Sequence, residues 1–166
     1  PSVLIGPEDD FFNRFAWMSK ISMVLPIVGG KTRFQPVHVD DVAAAVLIAL
    51  EGGRKKEGKI FELGGPRIYT FRELMDVMMR ETGVKRLVFD MPGWLARIPA
   101  ALIGWLPNAP LTLDQIKLLD RDNVVAKKAK TFAALGLTPK PIEVVLPLYL
   151  TRYRAKGQFS KHRPAA

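Results

Sequence analysis

The sequence predicts an α/β architecture built on pieces of a parallel sheet, with few short strands and several helices. Three observations carry that expectation. Short β-rich runs alternate with stretches of helical period, glycine-bearing turns separate them, and 48% hydrophobic with 25% charged residues is the composition of a packed globular unit. A chain of 166 residues has room for one core and an arm. The expected division is residues 1–154 as one unit and residues 155–166 as a basic, disordered tail.

The elements follow in order. Ser2-Val3-Leu4-Ile5 is β-rich and closed by Gly6-Pro7, so it reads as a buried strand ending in a turn. Residues 11–24 place Phe12, Phe15, Ala16 and Met23 at helical spacing, and Gly29-Gly30-Lys31 is a turn. Residues 35–39 form a short strand, and Asp40 is positioned to cap a helix over 41–50 that Gly52-Gly53 ends. Residues 59–63 alternate like a half-buried strand closed by Gly64-Gly65-Pro66. Thr70 and Glu73 have capping-box spacing, opening a helix to Thr82 with Gly83 as its stop.

Residues 86–89 are another strand. Residues 94–106 are helical in pattern with a kink at Pro99. Thr112 and Gln115 repeat the capping box before a helix through Leu119. Residues 131–135 make a short helix stopped by Gly136, and Pro141 opens a last helix to about Arg154, kinked at Pro147. About four short strands are few for a free-standing doubly wound sheet, so a further piece is expected to complete it.

Composition excludes several chemistries. Without cysteine there is no disulfide, no thiolate nucleophile and no zinc–cysteine site. His38 and His162 stand too far apart in sequence to give metal-ligand spacing. The most apolar stretch, residues 94–113, is interrupted by Arg97, Pro99, Pro107 and Pro110, which argues against a spanning helix. Residues 1–6 carry no basic region of a leader. Charge is uneven: residues 1–120 hold 15 Lys/Arg against 14 Asp/Glu, and residues 121–166 hold 10 against 2. Nearly all of the formal +9 therefore sits in the last quarter, which suits an anionic surface or a solvated tail equally well. Nucleic acid fits less well, because the cluster is short and has little aromatic interleaving.

Two absences bear on catalysis. The glycine pairs 29–30, 52–53 and 64–65 form no G-x-G-x-x-G turn, the element that lets a backbone approach a pyrophosphate at a helix N-terminus. Four residues after Tyr69, Tyr149 and Tyr153 stand Glu73, Tyr153 and Gly157, so no Tyr-x-x-x-Lys proton relay is present.

The residues that are present form a recognisable series. Pro1-Ser2-Val3-Leu4-Ile5-Gly6-Pro7-Glu8-Asp9, then Val37-His38-Val39-Asp40-Asp41-Val42-Ala43, then Phe61-Glu62-Leu63-Gly64-Gly65-Pro66 with Tyr69-Thr70-Phe71-Arg72-Glu73-Leu74 resemble three successive markers of the extended short-chain dehydrogenase/reductases, the epimerase/dehydratase-like group. Residues 35–42, the Gly65-Pro66 turn, Asp122-Asn123-Val124-Val125 and Leu135-Gly136-Leu137-Thr138-Pro139 resemble, within that group, the NAD(P)-binding accessory subunits of respiratory complex I and their bacterial relatives. In sugar-nucleotide epimerases an Arg-Asp pair precedes the His-Val-x-Asp strand. Here Phe34 and Gln35 hold those positions and Arg33 lies one residue early, which strand alternation turns to the other face.

The resemblance implies the C-terminal, substrate-side portion of a Rossmann-type extended fold, with a structural or assembly role and no catalysis alone. The chain by itself is expected to hold no cofactor, with NAD(P) bound by the full-length parent. It further implies that the backbone of Pro1, Ser2 and Val3 lies beside the nicotinamide and that His38 faces the substrate pocket. Implied partners are a preceding dinucleotide-binding half, complex I subunits, an anionic membrane surface and, through an exposed sheet edge, another copy. The implied place is cytoplasmic, peripheral at the inner (or mitochondrial inner) membrane. Trp94 and Trp105, about three helical turns apart, and Arg152 and Arg154 are the expected membrane or partner contacts. Alternatives left open are a fragment of an active oxidoreductase or epimerase/dehydratase, and a peripheral lipid- or quinone-binding module.

Overall fold

The computed structural model describes residues 1–53, 57–96 and 113–154. Strand β1 (Leu4–Ile5) leads into α1 (Asp10–Ile21), whose first amides are held by the Asp9 side chain: Phe12 N and Asn13 N donate to Oδ1 at 2.6 and 3.4 Å. β2 (Val24–Val28), β3 (Arg33–Phe34) and β4 (Val37–His38) follow, then α2 (Val39–Glu51). β5 (Tyr69–Thr70) runs directly into α3 (Phe71–Thr82), and β6 (Leu87–Met91) comes next. The last helices are α4 (Leu113–Leu119) and α5 (Ile142–Leu150), with 3-10 turns at Phe132–Leu135 and Thr151–Tyr153.

The strands pair in twos. β1 and β4 are parallel, with Leu4 opposite Val37. β2 and β6 are parallel over five residues, from Val24 opposite Leu87 to Val28 opposite Met91. β3 and β5 are antiparallel. The parallel pairs need crossovers, which α1 with its neighbours and α2 with α3 supply.

The main core forms where α3 meets α1 and α5, through Phe71, Leu74, Met75 and Met78 against Phe12, Ala16, Val145 and Leu146. Rings of Phe11, Phe15, Phe34 and Phe71 meet at centroid distances of 5.4–6.2 Å in tilted and edge-on pairs, geometry that the ring quadrupole favours. A smaller core packs Val37, Ala45 and Leu63 on Phe132 and Leu135, and a third gathers Val28, Ala96 and Ile116.

Several expectations are met by the described residues. The Thr70/Glu73 capping box is complete, with Glu73 N donating to Thr70 Oγ1 at 3.2 Å and Thr70 N to Glu73 Oε2 at 2.7 Å. Gly83 ends α3 at φ 69°, in the left-handed region where a side chain would be strained. Others need correction. Residues 24–28 are a strand, not the end of a helix, because α1 stops at Ile21. α2 starts at Val39, with His38 as a cap residue whose side chain makes no capping bond, so Asp40 lies inside the first turn. Residues 59–63 form no strand. Their ladder is a single bridge at Phe61 to Lys130, plus Glu62 N donating to Lys130 O. The Pro99 kink, Trp105 and the 155–166 tail lie outside the described residues.

Candidate functional site

The site is assembled at the start of β1, where segments distant in sequence converge. Ser2 N donates to Leu63 O at 2.9 Å, and Val37 N donates to Val3 O at 2.9 Å. Ser2 Oγ donates to Asn123 O at 2.6 Å and accepts from Gln35 N at 3.1 Å. The Gln35 amide bridges two further pieces: Nε2 donates to Gly65 O at 2.7 Å and Oε1 accepts from Val125 N at 3.0 Å. Gly65 N returns the contact to Gln35 O. A Cβ on Gly65 would lie 2.0 Å from Pro36 O, so the approach of these two backbones requires glycine.

Pro1 is exposed, and Ser2 and Val3 are half-buried. One edge of β1 is taken by β4. Among the described residues no strand occupies the other edge. Where β1 ends, residues 4–10 and Val39 line an open groove. Asp9 anchors that groove from below: besides capping α1 it accepts from Gly6 N at 3.2 Å and from the Tyr149 hydroxyl of α5. Burial first, and the Asp9 carboxylate second, hold the Tyr149 phenol far above its ordinary range. Tyr69 is pushed up to about 12 by burial and by the Glu143 carboxylate it donates to at 2.7 Å. Arg67 beside Tyr69 and Arg152 near Tyr149 lower these phenols by less than burial and the carboxylates raise them, the reverse of what a proton relay near neutral pH needs.

His38, at the end of β4, is 7% exposed, and its Nδ1 is buried without a hydrogen-bond partner among the described residues, 3.7 Å from Asp40 Oδ2. It does not line the groove. Arg33 and Phe34 obey strand alternation: Phe34 enters the aromatic core, and Arg33 turns outward to grip Asp122 with Nε at 2.9 Å and Nη2 at 2.7 Å. The hydrogen-bonded Asp122 carboxylate raises the Arg33 pKa, and the guanidinium lowers that of Asp122. No group of three or more His, Asp or Glu that could hold a metal occurs among the described residues.

The expected contact residues separate. Trp94 is 68% exposed, in the helical residues 93–96. Arg152 is exposed but reaches back to Pro7 O at 3.0 Å and Asn13 Oδ1 at 2.6 Å. Arg154 is turned inward: its side chain is 11% exposed, donating to Glu81 O at 2.8 Å with Glu81 Oε2 3.9 Å away. An acid buried on α3 takes its charge, so Arg154 offers little to an outside surface. The Ser2–Gln35–Gly65–Asn123 junction was invisible in the sequence, since most of its bonds end on backbone atoms. Ser2, Gln35, Gly65 and Asn123 each fall in a segment that carries the family resemblance, and Gln35 stands where an acid was expected, but nothing local joins the four.

This arrangement of short parallel strands, crossover helices and a marker loop after β1 defines the fold as that of a Rossmann-type short-chain dehydrogenase/reductase of the epimerase/dehydratase kind. Among solved structures, dTDP-glucose 4,6-dehydratase from Streptomyces venezuelae, with NAD and TYD bound, superposes with a TM-score of 0.61 over 92% of this chain and 41% of that one, at 21% identity. No family model matches the chain. The curated relatives are more specific. The chain is 35% identical over 95% of its length to NADH dehydrogenase [ubiquinone] 1 alpha subcomplex subunit 9, mitochondrial, of Arabidopsis thaliana, covering 42% of that protein. It is 28% identical over 96% of its length to the NADH-ubiquinone oxidoreductase 40 kDa subunit, mitochondrial, of Neurospora crassa, again covering 42%. It is thus a relative of these complex I subunits and spans less than half of their length.

Proposed function

We propose that this chain is the substrate-side, C-terminal portion of a complex I-type NAD(P)-binding subunit that serves assembly and shape rather than turnover. The observation that carries the reading is the 35% identity to a complex I subunit across nearly all of the chain. The site chemistry supports it. The polar side chains at the start of β1 are consumed in holding segments together, and both buried phenols are biased toward staying protonated. A proton relay and a pyrophosphate cradle would have to come from another part of the protein.

In that reading the backbone of Pro1, Ser2 and Val3 forms one wall beside a nicotinamide held mainly by a preceding half. α2 supports a covering partner. Val39, Ala43, Val46, Leu47 and Leu50 recur at helical spacing as one exposed apolar stripe beside Leu4, which a further layer of an α/β fold would bury. Its ends carry Asp40 and Glu51.

The experiment is affinity purification of the tagged, full-length protein from detergent-solubilised membranes of the source cell. Comigration with NADH:ubiquinone oxidoreductase activity on a native gel, and loss of assembled complex on deletion, are expected. Recovery as a free soluble enzyme with wild-type complex levels in the deletion strain contradicts the proposal.

A further inference from the structure

The fold divides the charge excess of the last quarter into engaged and unengaged cations. Lys140 Nζ lies 4.0 Å from Asp41 Oδ1, Arg152 reaches Pro7 O and Asn13 Oδ1, and Arg154 is held by Glu81. Lys127, Lys128 and Lys130 are exposed, and their side chains make no hydrogen bond or ion pair among the described residues. All three stand on one turn. Ala129 N donates to Ala126 O at 3.0 Å, which makes Lys127 and Lys128 the two central residues of a β-turn and puts both at its tip.

The base of this turn is fixed. Ala126 N donates to Glu62 Oε2 at 2.8 Å, Glu62 N donates to Lys130 O at 2.9 Å, and Phe132, two residues on, is buried in one core with Val37, Ala45 and Leu63. The carboxylate that these bonds bring to the turn, that of Glu62, is taken up by a backbone amide, and the lysines keep their charge for the outside. The residue types indicate what they meet. A protein partner is gripped by aromatic or arginine anchors sunk in an apolar patch, and residues 126–131 contain neither. Lysine is a hydrated point charge on a flexible stem, without the fixed fork that matches a single carboxylate. An anionic bilayer asks for nothing more: its attraction accumulates with each cation near the headgroup plane, and laterally mobile phosphates adjust to the spacing.

We propose that the Lys127–Lys128 tip, with Lys130 behind it, is an electrostatic docking point for the headgroups of an anionic bilayer. The contact is reversible and salt-sensitive, since no aromatic side chain on the turn adds apolar anchorage. It needs no other protein. It therefore stands or falls separately from assembly into complex I, whose failure would show in the native gel and not with vesicles.

The test is co-sedimentation of the purified full-length protein with phosphatidylcholine vesicles, with and without phosphatidylglycerol. Binding to the anionic vesicles alone is expected. It should fall as salt rises from about 0.01 to about 0.15 M, where the screening length drops from roughly 30 to roughly 8 Å. Lys127→Glu with Lys128→Glu should bind at least about tenfold more weakly. Lys20→Glu with Lys85→Glu changes net charge equally on α1 and ahead of β6, and should bind like wild type. Each variant is checked for native circular dichroism, and the milder Lys127→Gln with Lys128→Gln should show the smaller loss. Truncation after Arg154 should retain binding. The proposal is overturned if the Lys127/Lys128 reversal binds as wild type, if the two reversals weaken binding equally, if neutral vesicles bind as well, or if loss of residues 155–166 alone abolishes binding.

Discussion

Gly65 shows how little freedom the β1 junction has. Its missing Cβ would stand 2.0 Å from Pro36 O, and neither backbone can yield without breaking the Gln35 bridges to Gly65 and Val125. Gly65→Ala should therefore cost about 2–4 kcal/mol, read as a lower urea midpoint with an unchanged slope. Tyr149 makes a second single-residue prediction. Its hydroxyl donates to the Asp9 carboxylate, and Tyr149→Phe should cost about 1.5–3 kcal/mol. The folded state raises the pKa of this phenol above the unfolded value near 10.0, so its contribution is complete below that pH. It is lost as pH climbs toward the folded value. Wild type should lose stability above about pH 10 more steeply than Tyr149→Phe, with delayed tyrosinate absorbance as the companion signal. The Gly65-Pro66 turn and the capping role of Asp9 at the head of α1 lie within a few residues of chain. The tie from Tyr149 to Asp9 spans 140 residues, and no local pattern announces it.

α3 was legible because its signals are local. The Thr70/Glu73 box, the apolar spacing and Gly83 all lie within fourteen residues of one another, and the helix forms where they indicate. Thr70→Ala should lower stability by about 1 kcal/mol by thermal or urea melting. Glu73 is held below its ordinary pKa first by the Thr70 backbone amide. Its contribution is therefore present above the unfolded carboxylate value and lost as pH falls through the folded one, so the difference between wild type and Glu73→Gln should shrink in acid. Strands were less legible. Pro26 speaks against a strand over residues 24–28, yet β2 pairs along one edge only, and a proline is tolerated where no ladder bond is demanded. Residues 59–63 alternate correctly and still make no strand, because a strand is defined by its partner and theirs is one bridge at Lys130. The Asp40 cap failed because α2 begins earlier than the local pattern indicates, at Val39, which puts Asp40 inside the first turn.

Among the described residues the molecule has three two-stranded pairs, three hydrophobic clusters and an exposed apolar stripe along α2. Few short strands and several helices were readable from periodicity. Which edges stay open was not, since an open edge is a property of the assembled sheet. The α2 stripe is the surface proposed to be buried by the dinucleotide-binding half, so Leu47→Asp should destabilise the full-length protein by several kcal/mol and the 166-residue chain by much less. Comparing the two urea midpoints checks this. The central claim is that these residues supply one wall of a nucleotide site and cannot hold the nucleotide themselves. Calorimetric titration of NADPH into the 166-residue chain and into a form extended to include the preceding half tests it most directly. Heat of binding from the extended form alone is predicted; stoichiometric binding by the 166 residues would contradict the account.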